Sequence, residues 1–429
     1  MELNIGIIGL GTVGSGVIES IEKNKNLFLK KYNIKINICG VSAKNKRKKR
    51  SFNINRYKWY KNPLDLINNP SIEIIVELIG GDSGLPLDIA IKTLTNKKNL
   101  ITANKAMMAI HGKKLIDIAF KNSVNINYEA SVAGGIPIIN MLENSLLSDK
   151  VNLIYGILNG TSNYILTQMR EKKISFDTAL KEAQNLGFAE LDPFDDISGN
   201  DAAYKLLLLS NLTFGLVSEI KDVYVEGITE IESLDLEMAN KLGYSIILLG
   251  IAGIKNKLLQ LRVHPCLVNN NSIIAKVKNE LNTVIIEGDL TDKIVVVGKG
   301  AGKNPTASAV LSDIIGYRKI KKRNLLSNKK NTYLKIKKLT MADRKGKFYI
   351  RMSVVDSPGV LADITAFFKR QKISISTMFQ LEKKYSKYVQ LIFVTHLINE
   401  KQLILAIKKI EKLAKVKNKV KFIRIENSL

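Results

Sequence analysis

The sequence predicts an α/β protein in three parts. These are an N-terminal doubly wound parallel sheet, a mixed α+β middle domain, and a C-terminal βαββαβ unit of ferredoxin-like arrangement. Three observations carry the prediction. Short buried apolar runs alternate with amphipathic segments near the start of the chain, the pattern of βαβ units. Gly9-Leu-Gly11-Thr-Val-Gly14 follows the first of those runs directly. Residues 346–429 run strand, helix, strand, strand, helix, strand.

In chain order, residues 3–9 form a buried strand, and GLGTVGSG opens an amphipathic helix that runs to about Lys31. INICGVS (36–42) is the second strand and ends in the basic cluster KNKRKKR (44–50). IEIIVELIG (72–80) is a third, then a helix leads to the short strand NLITAN (99–104), and VNINYEA (124–130) is the last of this sheet. In the middle part, VNLIYGIL (151–158) precedes NGTSN and a helix at 163–172, and DTALKEAQNLG is a further helix. LLQLRVHPCLV, TVIIEGDL and DKIVVVGKG read as strands, and PTASAVLSDIIGYR (305–318) as a helix that packs back on the first domain. The Lys- and Asn-rich stretch 319–345 reads as a linker to a separate C-terminal unit. There, FYIRMSVVD, ISISTMFQLE, YVQLIFVTH and KVKFIRIE are the strands, with helices at 360–371 and in KQLILAIKKIEKLA.

A chain of 429 residues with 45% hydrophobic and 24% charged residues has the length for two or three domains with real cores. No apolar run is long enough to span a membrane, and the start shows no leader segment, so a cytoplasmic location is expected. Cys39 and Cys266 make no disulfide framework. The net charge of +27 invites nucleic-acid binding, but Lys, Asn and Ile are enriched together throughout, as A/T-rich coding would produce. The two dense basic clusters, 44–50 and 318–330, also lack interleaved aromatics, so no nucleic-acid partner is expected.

The glycines stand in the context that a dinucleotide demands. Gly9 allows the tight turn, Gly11 lets a pyrophosphate approach, and Gly14 lets helix and strand pack, with Thr12 and Val13 at the helix N-terminus. The second strand ends in Ser42 without an acid, and Lys44, Lys46 and Arg47 follow, which favours NADP(H) while leaving NAD(H) possible. Lys105 follows a short strand at the carboxyl edge of the sheet, where nearby cations and the nicotinamide would lower its pKa. The stretch ELDPFDDISGNDAAYK sets Glu190, Asp192, Asp195, Asp196 and Asp201 before Lys205. Its first part is expected to be a loop that grips a substrate ammonium. Asn200 is expected to cap the next helix, with Asp201 and Lys205 one turn apart. His111, His264 and His396 show no metal-ligand spacing and no obvious partners.

With those residues in view, the chain resembles the homoserine dehydrogenases, in the monofunctional form that carries a C-terminal ACT domain. The resemblance rests on GLGTVGSG, ELIGG, TANKA, YEASVAGGIPII, GILNGTSNYIL, LGFAELDPFDDISGNDAAYKL, GKGAGKNPTASAV and DSPGVLADI, in family order. It leaves only the stretch around 319–345 unmatched. It implies a nicotinamide-binding domain over 1–139, a substrate and dimerisation domain over 140–304, and an ACT domain over 346–429. The implied reaction interconverts L-aspartate 4-semialdehyde and L-homoserine, in a homodimer or homotetramer, with L-threonine as effector. Lys105 and Lys205 are the implied proton-transfer residues, and Gly160, Thr161, Glu190, Asp196 and Asp201 hold the amino acid. Gly300 is implied to touch the cofactor, and the backbone carbonyls of Glu129, Val132, Gly134 and Ile136 to bind a monovalent or divalent cation. Phe188 departs from the tyrosine frequent there. Two rivals remain. An aspartate-semialdehyde dehydrogenase would need a nucleophilic cysteine, for which neither Cys39 nor Cys266 is placed. An amino-acid sensor would have no need of both lysines.

Overall fold

The computed structural model describes residues 1–317, 336–381 and 387–426. The N-terminal domain runs β1 (Glu2–Ile8), α1 (Thr12–Tyr32), β2 (Lys35–Ser42), α2 (Pro63–Ile67), β3 (Ile74–Glu77), α3 (Leu85–Thr95), β4 (Asn99–Thr102), α4 (Lys105–Asn122) and β5 (Ile126–Asn127). All five strands are parallel, in the order β2-β1-β3-β4-β5. The strand order reverses at β1, so a crevice opens at the carboxyl ends of β1 and β3, where such folds bind ligands. α1 lays Val17, Ile18, Ile21 and Phe28 on the sheet and stops at Asn33, whose left-handed backbone returns its N–H to the last turn.

Two strands are much shorter than the sequence predicts, and β4 stops at Thr102 rather than Asn104. β3 gives way after Glu77, whose carboxylate accepts from the Ile79 N–H at 2.7 Å and turns the chain. The predicted 124–130 strand keeps only β5, because Glu129 N–H bonds Asp313 and its carboxylate takes the N–H groups of Ile139 and Asn140.

The middle part runs α5 (Ile138–Asn140), β6 (Val151–Ile157), α6 (Gly160–Lys172), α7 (Phe176–Asn185), α8 (Phe194–Ser198), α9 (Asn200–Phe214), β7 (Tyr224–Val225), α10 (Ser233–Lys241), β8 (Tyr244–Lys255), β9 (Leu258–Asn269), β10 (Leu281–Gly288), β11 (Asp292–Lys299) and α11 (Lys303–Gly316). The acidic stretch is therefore not all loop, since Asp195 and Asp196 open α8. Gly199 at φ 90°, not Asn200, caps α9. β8 is a long strand that the sequence reading missed, because its residues are buried without the alternation of a half-exposed strand. α11 packs back against α1, as predicted, where Gly16 leaves room for Lys303 and Ala307.

The C-terminal part runs β12 (Lys337–Lys338), β13 (Lys345–Val355), α12 (Val360–Arg370), β14 (Ile375–Leu381), β15 (Tyr388–Thr395), β16 (Ile398–Asn399), α13 (Glu400–Ile410) and β17 (Val416–Glu426). The βαββαβ order holds, but the unit does not stand apart. β17 pairs in parallel with β9, giving one sheet ordered β11-β10-β6-β8-β9-β17-β13-β15-β14. β12, inside the predicted linker, also pairs with β9. The basic run at 318–330 lies outside the described residues.

Buried ion pairs seal this junction. Arg424 is 1% exposed and meets Glu400 at 2.5 Å and Glu226 at 2.7 Å. Arg262 and Arg344 converge on Glu426 at 2.6 and 2.5 Å, and Arg351 meets Asp235 at 2.7 Å. His264, predicted to lack partners, sits here 2.8 Å from Arg262 and 3.3 Å from the Cys266 sulfur. Burial and the Arg424 guanidinium push its pKa well down, so it is a neutral packing residue. Among the described residues, no helix is long and apolar enough to cross a membrane.

Candidate active site

Two helix starts bring the reactive side chains together. Asn104 caps α4 by accepting from the Met107 N–H at 3.0 Å, and donates to the carbonyls of Ile79 at 3.2 Å and Gly81 at 2.6 Å. This fixes Lys105 in the first turn. On α9, Asp201 and Lys205 lie one turn apart on the same side, as their spacing predicts. Asp201 then binds two ammoniums, with Oδ1 2.5 Å from Lys105 Nζ and Oδ2 2.7 Å from Lys205 Nζ. Lys205 also donates to the Leu158 carbonyl at 2.8 Å. The Lys205 side chain is only 9% exposed, whereas that of Lys105 is 41% exposed, so Lys105 is the ammonium a ligand can reach.

Asn159, which the sequence reading took only as part of a turn, holds the centre together. Its amide nitrogen donates to Asp196 at 2.6 Å and Asp201 at 2.8 Å, while its oxygen caps α6 at the Ser162 N–H. The available signal was an asparagine directly before an apolar helix. Gly160 begins α6, where a Cβ would stand 2.6 Å from the Glu280 carbonyl, and Thr161 donates to the Phe188 carbonyl at 2.7 Å. Glu190 is exposed on the rim, and its side chain bonds none of these groups.

The electrostatics differ from the sequence expectation in one respect. The Asp201 carboxylate raises the Lys105 pKa, outweighing burial, where a lowered value was expected. Burial would push Asp201 up, but Lys205 and Lys105 together hold its carboxyl far below the usual range. Burial and the neighbouring Asp201 raise the Asp196 carboxyl.

Glu77 supports the Lys105 loop from below. It is fully buried and accepts from Thr102 Oγ1 at 2.5 Å, and Thr102 Oγ1 in turn accepts from the Asn104 N–H at 3.0 Å. Burial raises its pKa to about 7. The folded state therefore binds this proton more tightly than the unfolded state. The stability it contributes is full below the ordinary value of 4.5 and is lost as pH rises through about 7. Glu77→Gln is expected to flatten the loss of thermal stability across that window. An unchanged slope in melting experiments at stepped pH would refute the assignment.

At the β1 carboxyl end, Gly9 has φ 100° and its N–H donates to the Ser42 carbonyl at 2.9 Å. A Cβ on Gly14 would stand 1.9 Å from the Gly9 carbonyl, which is why only glycine fits there. Gly11 caps α1 with open space before it, and Thr12 and Val13 start the helix. The cleft beside this turn is lined by Lys48, Lys49, Arg50 and Lys303. Lys44, Lys46 and Arg47 are exposed and do not line it. Arg50 also braces its own loop by donating to the carbonyls of Asn45 and Lys48.

The Glu129–Ile136 turn packs against Gly300. A Cβ on Gly134 would stand 2.6 Å from the Gly300 carbonyl, and Gly135 N–H donates to Lys299 O at 2.9 Å. Glu129, Val132 and Ile136 are buried, and Ala133 and Gly134 have φ of 54° and 46°. Burial raises Glu129 and Glu143 to about 7 and Asp313 well above its usual range. The carbonyls of Glu129 and Ile136 accept from the Val132 and Ile138 N–H groups at 3.3 and 2.8 Å, and each keeps a second lone pair that a cation could take. Neither cysteine reaches the centre. Cys39 lies in β2 and Cys266 in β9, and burial raises the thiol of each.

Comparison with known proteins identifies the family and its domains. Family models match in three places: "Homoserine dehydrogenase, NAD binding domain" over residues 9–129, "Homoserine dehydrogenase" over 137–315, and "ACT domain" over 348–415. Homoserine dehydrogenase of Helicobacter pylori is 40% identical, with 99% of each chain covered. That of Neisseria gonorrhoeae is 35% identical, also with 99% of each covered. The crystal structure of a homoserine dehydrogenase from Thiobacillus denitrificans superimposes with a TM-score of 0.91 at 36% identity, covering 100% of this chain and 99% of that one. A hyperthermophilic archaeal homoserine dehydrogenase in complex with NADPH has a TM-score of 0.62 at 25% identity, covering 74% of this chain and 98% of that one. From its N-terminal NAD-binding domain to its βαββαβ C-terminal domain, the chain belongs to the homoserine dehydrogenase family.

Proposed function

We propose that this chain reduces L-aspartate 4-semialdehyde to L-homoserine, and runs the reverse oxidation, on the route to threonine, methionine and isoleucine. The observation that carries this reading is the buried Asp201 carboxylate held by the ammoniums of both Lys105 and Lys205. A bound nicotinamide supplies the hydride that the aldehyde carbon accepts. Lys105 donates a proton to the aldehyde oxygen as negative charge develops there. Asp201 links Lys105 to Lys205, so the two ammoniums act as one proton-donating unit. Asp196 and Glu190 take the substrate ammonium, with Asp201 behind them and the Gly160–Thr161 turn beside it. An incoming ammonium would favour the charged form of Asp196, which burial and Asp201 disfavour.

Gly9, Gly11, Thr12, Val13, Gly14, Ser42, Lys105 and Gly300 are the proposed cofactor contacts, with NADP(H) favoured over NAD(H). Lys48, Lys49 and Arg50 strengthen that preference, because a ribose phosphate entering the cleft would meet them. The archaeal relative's complex with NADPH points the same way. Glu129, Val132, Gly134 and Ile136 would hold a cation through their carbonyls. We assign L-threonine as effector at the Asp356–Gly359 turn, where Gly359, at φ 88°, opens α12 without a side chain in the way. A cytoplasmic homodimer or homotetramer completes the reading.

The test is spectrophotometric. Purified full-length enzyme is assayed for NADPH and NADH oxidation with the semialdehyde, with and without L-threonine. Turnover with both cofactors, faster with NADPH and slowed by threonine, is expected. Lys48→Ala with Arg50→Ala should narrow the NADPH preference, most clearly at low ionic strength. No oxidation of either cofactor would overturn the reaction, and a preference for NADH would overturn the cofactor assignment.

A further inference from the structure

Asn282, at the start of β10, is fully buried, yet neither its amide oxygen nor its amide nitrogen has a hydrogen-bond partner. Buried amides are almost always paired, because they have given up water and regain nothing if left alone. The position of this amide makes the omission informative. Asn282 lies opposite Gly298 in the β10–β11 register, two residues before the Gly300 turn. A Cβ built on Gly300 would stand 2.0 Å from its amide nitrogen, and one built on Gly160 would stand 3.4 Å from its amide oxygen. The amide thus occupies space that side chains at both glycines would need. On one side of it is the turn that opens α6 beside Asp196 and Asp201. On the other is the turn proposed to touch the cofactor.

We propose that Asn282 is a positioning residue that couples amino-acid binding to cofactor binding. Its amide forms hydrogen bonds to the backbone of the Gly160 and Gly300 turns when both ligands are in place. A primary amide offers two donors and one acceptor, so a single side chain can serve a peptide carbonyl on one side and a peptide N–H on the other. With both bonds unmade, a small shift of either turn is favourable. The shift that one ligand induces therefore lowers the cost of the shift the other needs, which is cooperativity between sites. The inference rests on the nicotinamide lying beside Gly300, as proposed above.

The test uses the full-length enzyme and a pair that cannot react, the reduced cofactor with L-homoserine. Cofactor fluorescence is titrated with and without homoserine. In the wild type, homoserine is expected to tighten cofactor binding by about tenfold. In Asn282→Leu that factor should fall to about one, while cofactor affinity measured alone stays unchanged and Tm is maintained or rises, as an unpaired amide is replaced by apolar volume. Asn282→Ser carries the same comparison if the leucine variant is poorly folded. An undiminished factor in the variants, or no coupling in the wild type, would overturn the proposal. So would a loss of cofactor affinity alone that tracks a fall in Tm, since that is a purely structural role. A wild type that fails to bind the reduced cofactor at all would instead count against the assigned reaction.

Discussion

Lys105→Ala is expected to lower kcat by about 10²–10⁴-fold while the enzyme still folds and binds its cofactor, because a positioned proton donor contributes a factor of that order. Lys205→Ala should lower kcat comparably, but with a second signature. Lys205 is buried on Asp201 and the Leu158 carbonyl, so its removal leaves Asp201 with Lys105 as its only ammonium and should also lower Tm. Steady-state kinetics and melting of both variants read the two effects separately. Near wild-type kcat in either variant would remove that lysine from the chemistry. The pH response follows from the same geometry. Asp201 raises the Lys105 pKa, so the protonated donor persists above neutral pH and favours reduction. Oxidation of homoserine needs the neutral amine and should gain rate as the solution becomes alkaline. An oxidation rate that falls with rising pH would contradict the assignment.

Removing the Arg424 side chain should destabilise the whole enzyme rather than only its regulation. Arg424 joins Glu400 of α13 to Glu226 beside β7, and its loss takes the cation from Glu226 and leaves Glu400 with Arg344 at 3.8 Å. Breaking a buried ion pair from one side typically costs about 3–5 kcal/mol, so Arg424→Ala should melt well below the wild type. Glu426→Gln tests the neighbouring node with a defined pH response. Burial raises the Glu426 carboxyl, but Arg262 and Arg344 outweigh it and hold the carboxyl below its ordinary 4.5. Its contribution is therefore present above that value and lost as pH falls through the lower folded value, and the glutamine variant should lack that acid-side dependence. A chain ending at Tyr317 would keep β7 on Arg262–Val263 but bare the stretches of the β9 edge that β12 and β17 cover on either side of it. Such an edge is prone to associate, so the truncated chain is expected to aggregate. If it stayed monodisperse and Arg424→Ala kept its Tm, the junction would be a loose contact. A tether around 319–345 would carry threonine's effect only through pairing between ACT domains. With β17 laid on β9, an effector bound to the C-terminal domain would have a direct route into the sheet that carries Asn282.

What could be read in the sequence was local. In the glycine turn after β1, Gly14 is required by the Gly9 carbonyl five residues before it, so the motif marked the turn without tertiary information, although Gly9 itself also meets the distant Leu78 carbonyl. The Asp201–Lys205 pair follows from helical spacing, and the βαββαβ order follows from alternating apolar runs and turn residues. β8 escaped because a strand covered on both faces has no alternation to detect.

The sequence by itself determined the nicotinamide-type N-terminal domain, the lysine and acid motifs, and the family. Each is written in residues that lie close together or in spacings that one helix or strand imposes. Only the tertiary structure decided that Lys105 shares Asp201 with Lys205, because α4 and α9 must pack before their first turns meet. It also decided that Asn159 grips two acids, that Arg50 rather than Lys44 borders the cleft beside the Gly9–Gly14 turn, and that β17 pairs with β9 to join the C-terminal part to the middle sheet. A side chain's charge and shape are fixed by its own chemistry. Its partner is fixed by which distant segments the core brings within about 3 Å of it, the reach of a hydrogen bond.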